Sequence, residues 1–136
     1  MTMAATFHLQ IVTPDRMAFD GEAERIILRT VNGDICILAH HIDYAAPLGI
    51  GEAKLVDAEG KESVAACAGG LLSVHDNEVR VMATTFEWSG DIDLERAKRA
   101  EAAAQEQLQI LKKEDENYAI AEAKLKRALA RIRAKG

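Results

Sequence analysis

Two hydrophobic patterns divide the chain near Gly90. Before this residue, short runs of aliphatic and β-branched residues are separated by turn residues, a pattern typical of β-strands. After it, positions 91–135 contain neither Gly nor Pro, and apolar residues recur every three to four positions, as in amphipathic helices. The pattern predicts a β domain over residues 1–87 and a helical domain over residues 91–136.

The first part predicts antiparallel sheets arranged as a sandwich or barrel, because its runs recur about every 8–12 residues with no helical run between them. Asn32-Gly33 lies between two apolar runs and predicts a type I′ hairpin turn, in which both central residues have positive φ. Gly69-Gly70 indicates a close approach of two strands. The predicted strands cover residues 7–12, 25–31, 34–38, 50–56, 63–68, 71–74 and 79–84.

The second part predicts a two-helix antiparallel hairpin. Charged residues 112–117 separate the helices, with Asn117 as the expected N-cap of the second one. The two stripes are rich in alanine, and a buried methyl contributes only about 0.8 kcal/mol. Docking of the hairpin is therefore expected to be marginal, although a permanently docked hairpin fits the periodicity equally well. The stripes comprise residues 94, 97, 101, 104, 108 and 111, then 118, 121, 125, 128 and 132.

Charge is distributed unevenly along the chain. Six basic and 12 acidic residues precede Glu87, giving that part a net charge of −6, whereas residues 87–136 carry +1. Six basic residues and no acidic residue follow Glu122. A basic helical end can bind nucleic acid, an anionic membrane surface or an acidic protein, and it also complements the negative end of a helix dipole; the dipole together with an acidic protein partner is favoured here. A pI near 5.4 argues against nucleic-acid binding, and no run approaches the roughly 18 apolar residues needed to span a membrane.

Candidate catalytic groups are few. His40, His41 and Asp43 suggest an alternative function as a free-standing β-sandwich metal protein or enzyme, but adjacent histidines diverge and a third ligand is not obvious. Neither a Gly-x-Ser-x-Gly nor a Gly-x-x-x-x-Gly-Lys motif is present. Cys36 and Cys67 lie in apolar strand patterns and are expected to be buried free thiols in a reducing cytoplasm. The residues favour a binding or regulatory module without a catalytic site or bound metal.

Four ordered motifs resemble the epsilon-subunit family of bacterial F-type ATP synthases, and they cover nearly the whole chain. The first is Phe7-x-Leu9-x-Ile11-Val12-Thr13-Pro14, and the second is Gly33-Asp34-x-x-Ile37-Leu38-x-x-His41. The third is Gly69-Gly70, and the fourth is Asp91-Ile92-Asp93-x-x-Arg96-Ala97. One segment departs from the family pattern. Where the family usually has His-Ala-Pro, this chain has His41 followed by five other residues before Pro47.

The resemblance implies a flattened β-sandwich of about ten strands followed by a two-helix hairpin. It implies a rotor subunit, non-catalytic by itself, that binds the gamma subunit and the membrane-embedded c-subunit ring and couples the ring to the alpha/beta catalytic head for ATP synthesis driven by a proton gradient. The expected location is the cytoplasmic face of the cell membrane, with membrane contact only through the complex. The residues implied in contact with the rotor and ring are Asn32, Gly33, Asp34 and His41.

The hairpin is implied to alternate between a docked state and an extended state that inhibits ATP hydrolysis. In the extended state, Lys124, Lys126 and Arg133 would meet an acidic segment of the beta subunit. Two helices of about 20 residues would reach on the order of 60 Å when opened end to end.

The resemblance also implies a regulatory ATP site, although no cofactor is required. A helix start would explain Asp93 and Arg96 equally well, because an acid in the first turn stabilises any helix. A basic residue that some ATP-binding members carry on the first helix corresponds here to Ala103. The implied ATP-binding residues are Glu87, Ile92, Asp93, Arg96, Ala97, Arg127 and Arg131.

Overall fold

The computed structural model describes residues 4–136, so residues 1–3 of the predicted first domain lie outside the described residues. Strands form the first part, here called the body, and two α-helices form the second, here called the arm. A turn of 3₁₀ helix at Ser89–Asp91 joins them. The elements are β1 Phe7–Val12, β2 Met17–Thr30, β3 Gly33–Leu38, β4 Tyr44–Pro47, β5 Ile50–Asp57, β6 Glu62–His75, β7 Glu78–Trp88, α1 Leu94–Ile110 and α2 Glu116–Lys135.

The body confirms the predicted β-sandwich, although the described residues form seven strands rather than about ten. Strands follow the order β1-β7-β6-β5-β2, and β1 also pairs with β2, which closes the sheet on itself. Strand β3 pairs with β2, and β4 pairs with β6. The runs 63–68 and 71–74, expected as two strands, form the single 14-residue β6. Pairing is antiparallel except between β1 and β7, which run parallel.

The body core consists of large aliphatic and aromatic side chains. Strand β1 alternates strictly, so Phe7, Leu9 and Ile11 are fully buried while the residues between them are not. Each such side chain contributes roughly 1.5–3 kcal/mol on burial. Of the two cysteines, Cys67 is buried as expected, and burial raises the pKa of its thiol to about 12. The expectation was wrong for Cys36, which lies on an exposed position of β3.

The predicted type I′ turn at Asn32-Gly33 was wrong. Gly33 has a φ of 119°, but Asn32 is not at positive φ, and Thr30 pairs with Gly33 across a two-residue loop. The Thr30 hydroxyl accepts from the Asn32 amide at 3.1 Å and donates to the Gly33 carbonyl at 2.8 Å. This side chain therefore holds the turn in another form. The turn with two consecutive positive φ values, 50° and 62°, is Asp76-Asn77 between β6 and β7.

Gly70 confirms the predicted close approach of strands. Its φ is 117°, and a Cβ at this position would lie 1.9 Å from the carbonyl oxygen of Met82 on β7. A side chain cannot fit there without moving backbone. Gly70 therefore sets the pairing of β6 with β7 midway along both strands.

The arm is docked on the body as a helical hairpin. Helix α2 lies against β5 and β6, and α1 lies against α2. The predicted stripes form the contact between the helices, with Ala97, Ala104, Ala121 and Ala128 buried. The N-cap of α2 was wrong: Asp115 caps it by accepting from the Asn117 amide at 2.9 Å. No helix within residues 4–136 combines the length and hydropathy needed to cross a membrane.

A second buried face on α2 went unpredicted. Ala130 and Ala134 are buried against Ala66 of β6 and against Ile92. These positions lie outside the stripe that faces α1. Helix α2 therefore has two apolar faces, one against α1 and one against the body. The face of α2 against the body is made mainly of methyl groups, and weak docking stays a prediction.

Candidate functional site

A polar cavity of about 470 Å³ lies where the body meets both helices of the arm. The end of β7, the 3₁₀ turn, the first two turns of α1 and the last third of α2 converge there. We call it the motif cavity. Its lining residues are Glu87, Asp91, Asp93, Arg96, Ala97, Ala100 and Arg131.

An ion pair on the cavity wall joins the body to the arm. The Nε of Arg131 on α2 donates to Oε1 of Glu87 on β7 at 2.6 Å. The two side chains are 30% and 35% exposed, so solvent screens the pair only in part. Close by, Nζ of Lys135 donates to the carbonyl oxygen of Ser89 at 3.1 Å. Both contacts exist only while α2 is docked.

Asp93 begins α1 as its N-cap. Its carboxylate accepts from the backbone amide of Arg96 at 3.1 Å, satisfying one of the unpaired donors of the first turn. The structural interpretation of this pair as a helix start is therefore confirmed. The Arg96 side chain is exposed and forms no salt bridge within residues 4–136, which leaves its guanidinium free to meet an anion.

Two predicted ATP-binding residues lie beside the cavity rather than on its wall. Ile92 is buried beneath it, packed with Ala130 and Ala134. Arg127 lies one turn before Arg131 and lines an adjoining gap of about 10 Å³ that also touches Glu87. Ala103 is exposed and does not line the cavity.

Asp91 and Ala100 line the cavity but were not among the predicted site residues. Helix geometry contained the signal for Ala100, which stands one turn after Arg96 and so shares its face. Asp91 belongs to the fourth motif but was not assigned to the ATP site, and its place on the cavity wall depends on the 3₁₀ turn. That turn has no clear signature in the sequence.

The cavity has the size and groups of a small-molecule site. Its volume falls within the range of about 300–1,000 Å³ common for ligand pockets. Guanidinium groups bind phosphate oxygens in paired hydrogen bonds, and carboxylates accept from hydroxyl and amino groups. The lining carries three carboxylates and two guanidiniums, so a polyphosphate needs additional positive charge, which Arg127 can supply from the adjoining gap.

The residues predicted to meet the rotor and ring occupy opposite ends of β3. Asn32, Gly33 and Asp34 form the β2–β3 turn, where Asp34 accepts from Nε of Arg29 at 2.5 Å. His41 follows the other end of the strand, and its Nδ1 lies 2.7 Å from the carbonyl oxygen of Ile42. Six strand residues separate the two ends, or roughly 20 Å. They cannot belong to one small contact.

The basic residues near the end of α2 divide between two surroundings. Lys126 and Arg133 line a cleft between α2 and the β2–β3 turn. Lys124 is exposed and does not line this cleft. While the arm is docked, two of the three residues predicted to bind the beta subunit therefore face the body.

The alternative metal site is not assembled. Asp43 accepts from Nδ1 of His75 at 2.9 Å and from the backbone amide of Asp76 at 3.2 Å, which lowers the pKa of its carboxyl. His40 stands at a φ of 62°, and its backbone amide donates to the Asn77 side chain. Within residues 4–136, no three His, Cys, Asp or Glu side chains are grouped as metal ligands.

Family models match nearly the whole chain. The β-sandwich domain of the ATP synthase delta/epsilon chain matches residues 6–89, and the long α-helix domain of the same chain matches residues 91–136. The boundary between the two matches falls at Gly90, inside the 3₁₀ turn.

Similar proteins carry the same description. The ATP synthase epsilon chain of Clostridium novyi is 40% identical over 130 residues, covering 96% of this chain and 98% of the relative. That of Caldanaerobacter subterraneus subsp. tengcongensis is 37% identical over 131 residues, covering 96% and 94%. A relative from Propionigenium modestum, named as sodium ion specific, is 37% identical over 129 residues, covering 95% and 93%.

Solved structures share the fold. A chain in the mitochondrial ATP synthase of Euglena gracilis, in an assembly of OSCP, F1 and c-ring, aligns with a TM-score of 0.78 and 23% identity, covering 93% of this chain and 79% of that one. A chain of the central stalk and c-ring assembly of Tetrahymena thermophila aligns with a TM-score of 0.66 and 16% identity, covering 99% and 100%.

Proposed function

The chain belongs to the epsilon-chain family of ATP synthases, and we propose that it couples the rotor to the catalytic head and regulates ATP hydrolysis through its arm. In this role the chain is not catalytic alone. The single observation that carries the regulatory proposal is the Glu87–Arg131 pair, which closes the arm onto the body across a polar cavity.

For the rotor role, the body supplies a closed, rigid surface. Its core contains side chains that are fully buried. Strand β1 is paired on both sides, with β2 and with β7, so it does not form an open edge of the sheet. We propose that this body binds the gamma subunit and that the β2–β3 turn at Asn32, Gly33 and Asp34 meets the c-subunit ring. His41, at the far end of β3, would then contact a different surface of the rotor.

For location and coupling, the proposed complex holds the chain at the cytoplasmic face of the cell membrane, and protons are the proposed coupling ion. Reconstituted complex should synthesise ATP when a proton gradient is imposed. Synthesis that depends on a sodium gradient alone would contradict the choice of ion and leave the rotor role intact.

For the regulatory role, the arm has a docked state whose interface with the body is made mainly of alanine. A weakly docked element changes state when a ligand or partner binds one state better than the other. We propose that release of the arm separates Lys126 and Arg133 from the body, so that they can join Lys124 in binding an acidic segment of the beta subunit. Extended in this way, the arm would inhibit hydrolysis.

Inhibition can be tested in the reconstituted complex. Replacing Lys124, Lys126 and Arg133 together by glutamine should raise the rate of ATP hydrolysis, because the arm loses the charges that hold it extended. A matched variant carries Lys98→Gln on the exposed face of α1 and should hydrolyse ATP at the parent rate. Equal hydrolysis by the triple variant and the parent complex would reject the proposed contact.

For the ligand, we propose ATP in the motif cavity. Arg96, Arg127 and Arg131 would face the phosphates, while Glu87, Asp91 and Asp93 would accept from the ribose and the adenine amino group. Ile92 and Ala97 would support the site by packing. Because the cavity is formed by both the body and the arm, ATP binds the docked state and stabilises it.

A titration of the isolated chain tests this proposal. Trp88 adjoins Glu87, and its indole donates to the carbonyl oxygen of Ala18, so its fluorescence reports on this end of β7. Millimolar ATP should change the fluorescence and raise the thermal midpoint with concentration. Arg96→Gln and Arg127→Gln should each weaken the response, whereas Arg80→Gln on the far end of β7 should not. No response in the parent chain, or equal responses in all variants, would exclude ATP from the cavity.

A further inference from the structure

A second cleft lies on the other side of α2, away from the motif cavity. It has a volume of about 690 Å³ and separates α2 from the β2–β3 turn and the turn that joins β4 to β5. Arg29, Lys126 and Arg133 are its charged lining residues, and no carboxylate lines it. We call it the basic cleft. Gly33, Gly49 and Gly69 of the body and Leu129 of the arm also line it.

Arg29 is held in place on the body side of the basic cleft. Asp34 accepts from its Nε at 2.5 Å and from Nη2 at 3.5 Å, so the guanidinium keeps further donors that point elsewhere. Its aliphatic stem lies over Gly51, where a Cβ would come within 2.8 Å of the Arg29 Cβ. The absence of a side chain at Gly51 therefore leaves room for this orientation of Arg29.

The arm side contributes two cations with little compensation. Lys126, Leu129 and Arg133 occupy positions i, i+3 and i+7 of α2 and so share one face. Arg133 forms no salt bridge within the described residues 4–136, and Lys126 only approaches Glu122 at 4.0 Å. Three cations thus line a cleft whose own wall, within residues 4–136, carries no carboxylate, while Asp34 and Glu52 share an adjoining hollow with Arg29 and Arg133.

We propose that the basic cleft binds a phosphate-bearing anion that bridges Arg29 of the body to Lys126 and Arg133 of the arm. Paired donors of the two guanidiniums match phosphate oxygens, and three glycines on the wall let a ligand approach the backbone. The bridged anion stabilises the docked arm, because the cleft exists only when α2 lies on the body.

The site is separate from the motif cavity. Arg127 and Arg131 project toward the motif cavity and its adjoining gap, while Lys126 and Arg133 line the basic cleft. A ligand can therefore bind in the basic cleft whether or not ATP occupies the motif cavity. It would also occupy Lys126 and Arg133, so bound anion and an acidic partner compete for the same side chains.

Inorganic pyrophosphate is the probe, titrated into the full chain at constant ionic strength set with chloride. The parent chain should show saturable binding by calorimetry and a thermal midpoint that rises with concentration. Arg133→Gln and Lys126→Gln should each bind about tenfold more weakly, as expected for loss of one charged hydrogen-bond donor. Arg80→Gln on the far end of β7 and Lys124→Gln should stay within about twofold of the parent chain.

Three results would overturn the proposal. The first is no saturable binding by the parent chain. The second is equal weakening by Lys124→Gln and Arg133→Gln, which would indicate charge screening alone. The third is weakening by Arg131→Gln but not by Arg133→Gln, which would place the probe in the motif cavity.

A second arm of the experiment identifies the source of the phosphate group. Vesicles of phosphatidylglycerol and of phosphatidylcholine are sedimented with the chain at the same ionic strength. Binding to the anionic vesicles that is lost in Arg133→Gln supports a lipid headgroup as the ligand. Binding of pyrophosphate without binding to vesicles supports a soluble phosphate compound.

Discussion

The body and the arm bury apolar surface in different ways. The body buries whole side chains of Phe7, Leu28 and Ile37, each fully removed from solvent. The arm meets the body through Ala130 and Ala134, which each bury a single methyl. Since the stabilisation scales with the apolar area removed from water, the body should be stable by itself while the arm is held weakly. One fold therefore combines a core of large side chains with an interface made of methyl groups, which is the contrast that the proposed regulation requires.

The same substitution in the two regions tests this contrast with the largest expected effect. Leu28→Ala in the body should lower the free energy of unfolding by about 2–5 kcal/mol, because it leaves a cavity in a close-packed core. The Leu125 side chain on α2 is only half-buried, so Leu125→Ala should lower the free energy of unfolding clearly less and leave the body folded. Urea unfolding followed by Trp88 fluorescence measures both. Equal losses in the two variants would mean that body and arm form one cooperative unit.

Overpacking the arm interface should give the next largest effect. Ala130 is 2% exposed, so Ala130→Leu forces extra methyl groups between α2 and the body and should cost about 1–3 kcal/mol of docking. Limited proteolysis should then cleave the arm faster while the body resists. Ala119→Leu on the exposed face of α2 serves as the matched control. Unchanged proteolysis of Ala130→Leu would show that the interface tolerates added volume.

These contrasts were only partly visible in the sequence. Strict alternation in β1 and the stripe of Ala97, Ala104 and Ala121 predicted which faces are buried, because each depends on one local period. The second face of α2 was missed, since its alanines fit no separate period and acquire meaning only against Ala66 of β6. Local periodicity does not report which distant strand a helix meets.

The candidate site was likewise predicted where local motifs define it and missed where it depends on distant contacts. The resemblance on Asp93, Arg96 and Ala97 pointed to the wall of one cavity, and Glu87 and Arg131 joined it from elements 44 residues apart. Asp91 depended on the 3₁₀ turn and was not predicted as part of the site. The prediction of a type I′ turn at Asn32-Gly33 was wrong for a similar reason. The Thr30 hydroxyl accepts from the Asn32 amide, and this hydrogen bond competes with the conformation that the Asn-Gly dipeptide favours.

Breaking the ion pair between body and arm should have a smaller effect. Arg131→Gln leaves Glu87 without its partner and should weaken docking by about 1 kcal/mol or less, since both groups remain partly exposed. Amide exchange of α2 should accelerate while that of β7 stays unchanged. Arg25→Gln removes a pair at 3.6 Å that lies wholly within the body, and it should leave the arm unaffected. Faster exchange of α2 in the Arg25 variant would contradict this assignment.

The smallest expected effect is a pH dependence confined to the body. His8 on β1 lies 2.7 Å from Asp20 on β2 and 2.6 Å from Glu78 on β7, and Glu22 is its directly paired neighbour on β2. Hydrogen bonds to Asp20 and Glu78 raise the pKa of the imidazole. Both ring nitrogens donate only in the protonated form. The contribution is therefore complete below the ordinary pKa of about 6.5 and is lost as pH rises through the raised value.

The pH effect can be isolated by substitution. His8→Gln should flatten the loss of stability as pH rises above about 6.5, an effect below about 1 kcal/mol because the His8 side chain is 34% exposed. His40→Gln, in the exposed loop after β3, should retain the slope of the parent chain. A parent slope that survives in His8→Gln would assign the pH dependence to other groups.

Hydrogen exchange of the full chain, resolved by element and repeated with saturating ATP, tests the central contrast most directly. The predicted result is that amides of α2 exchange at a lower free energy of opening than amides of β1, β6 and β7, and that ATP slows exchange in α2 and at the start of α1 while the body is unchanged. Exchange of helices and strands at one common free energy, with no response to ATP, would contradict a rigid body with a ligand-controlled arm.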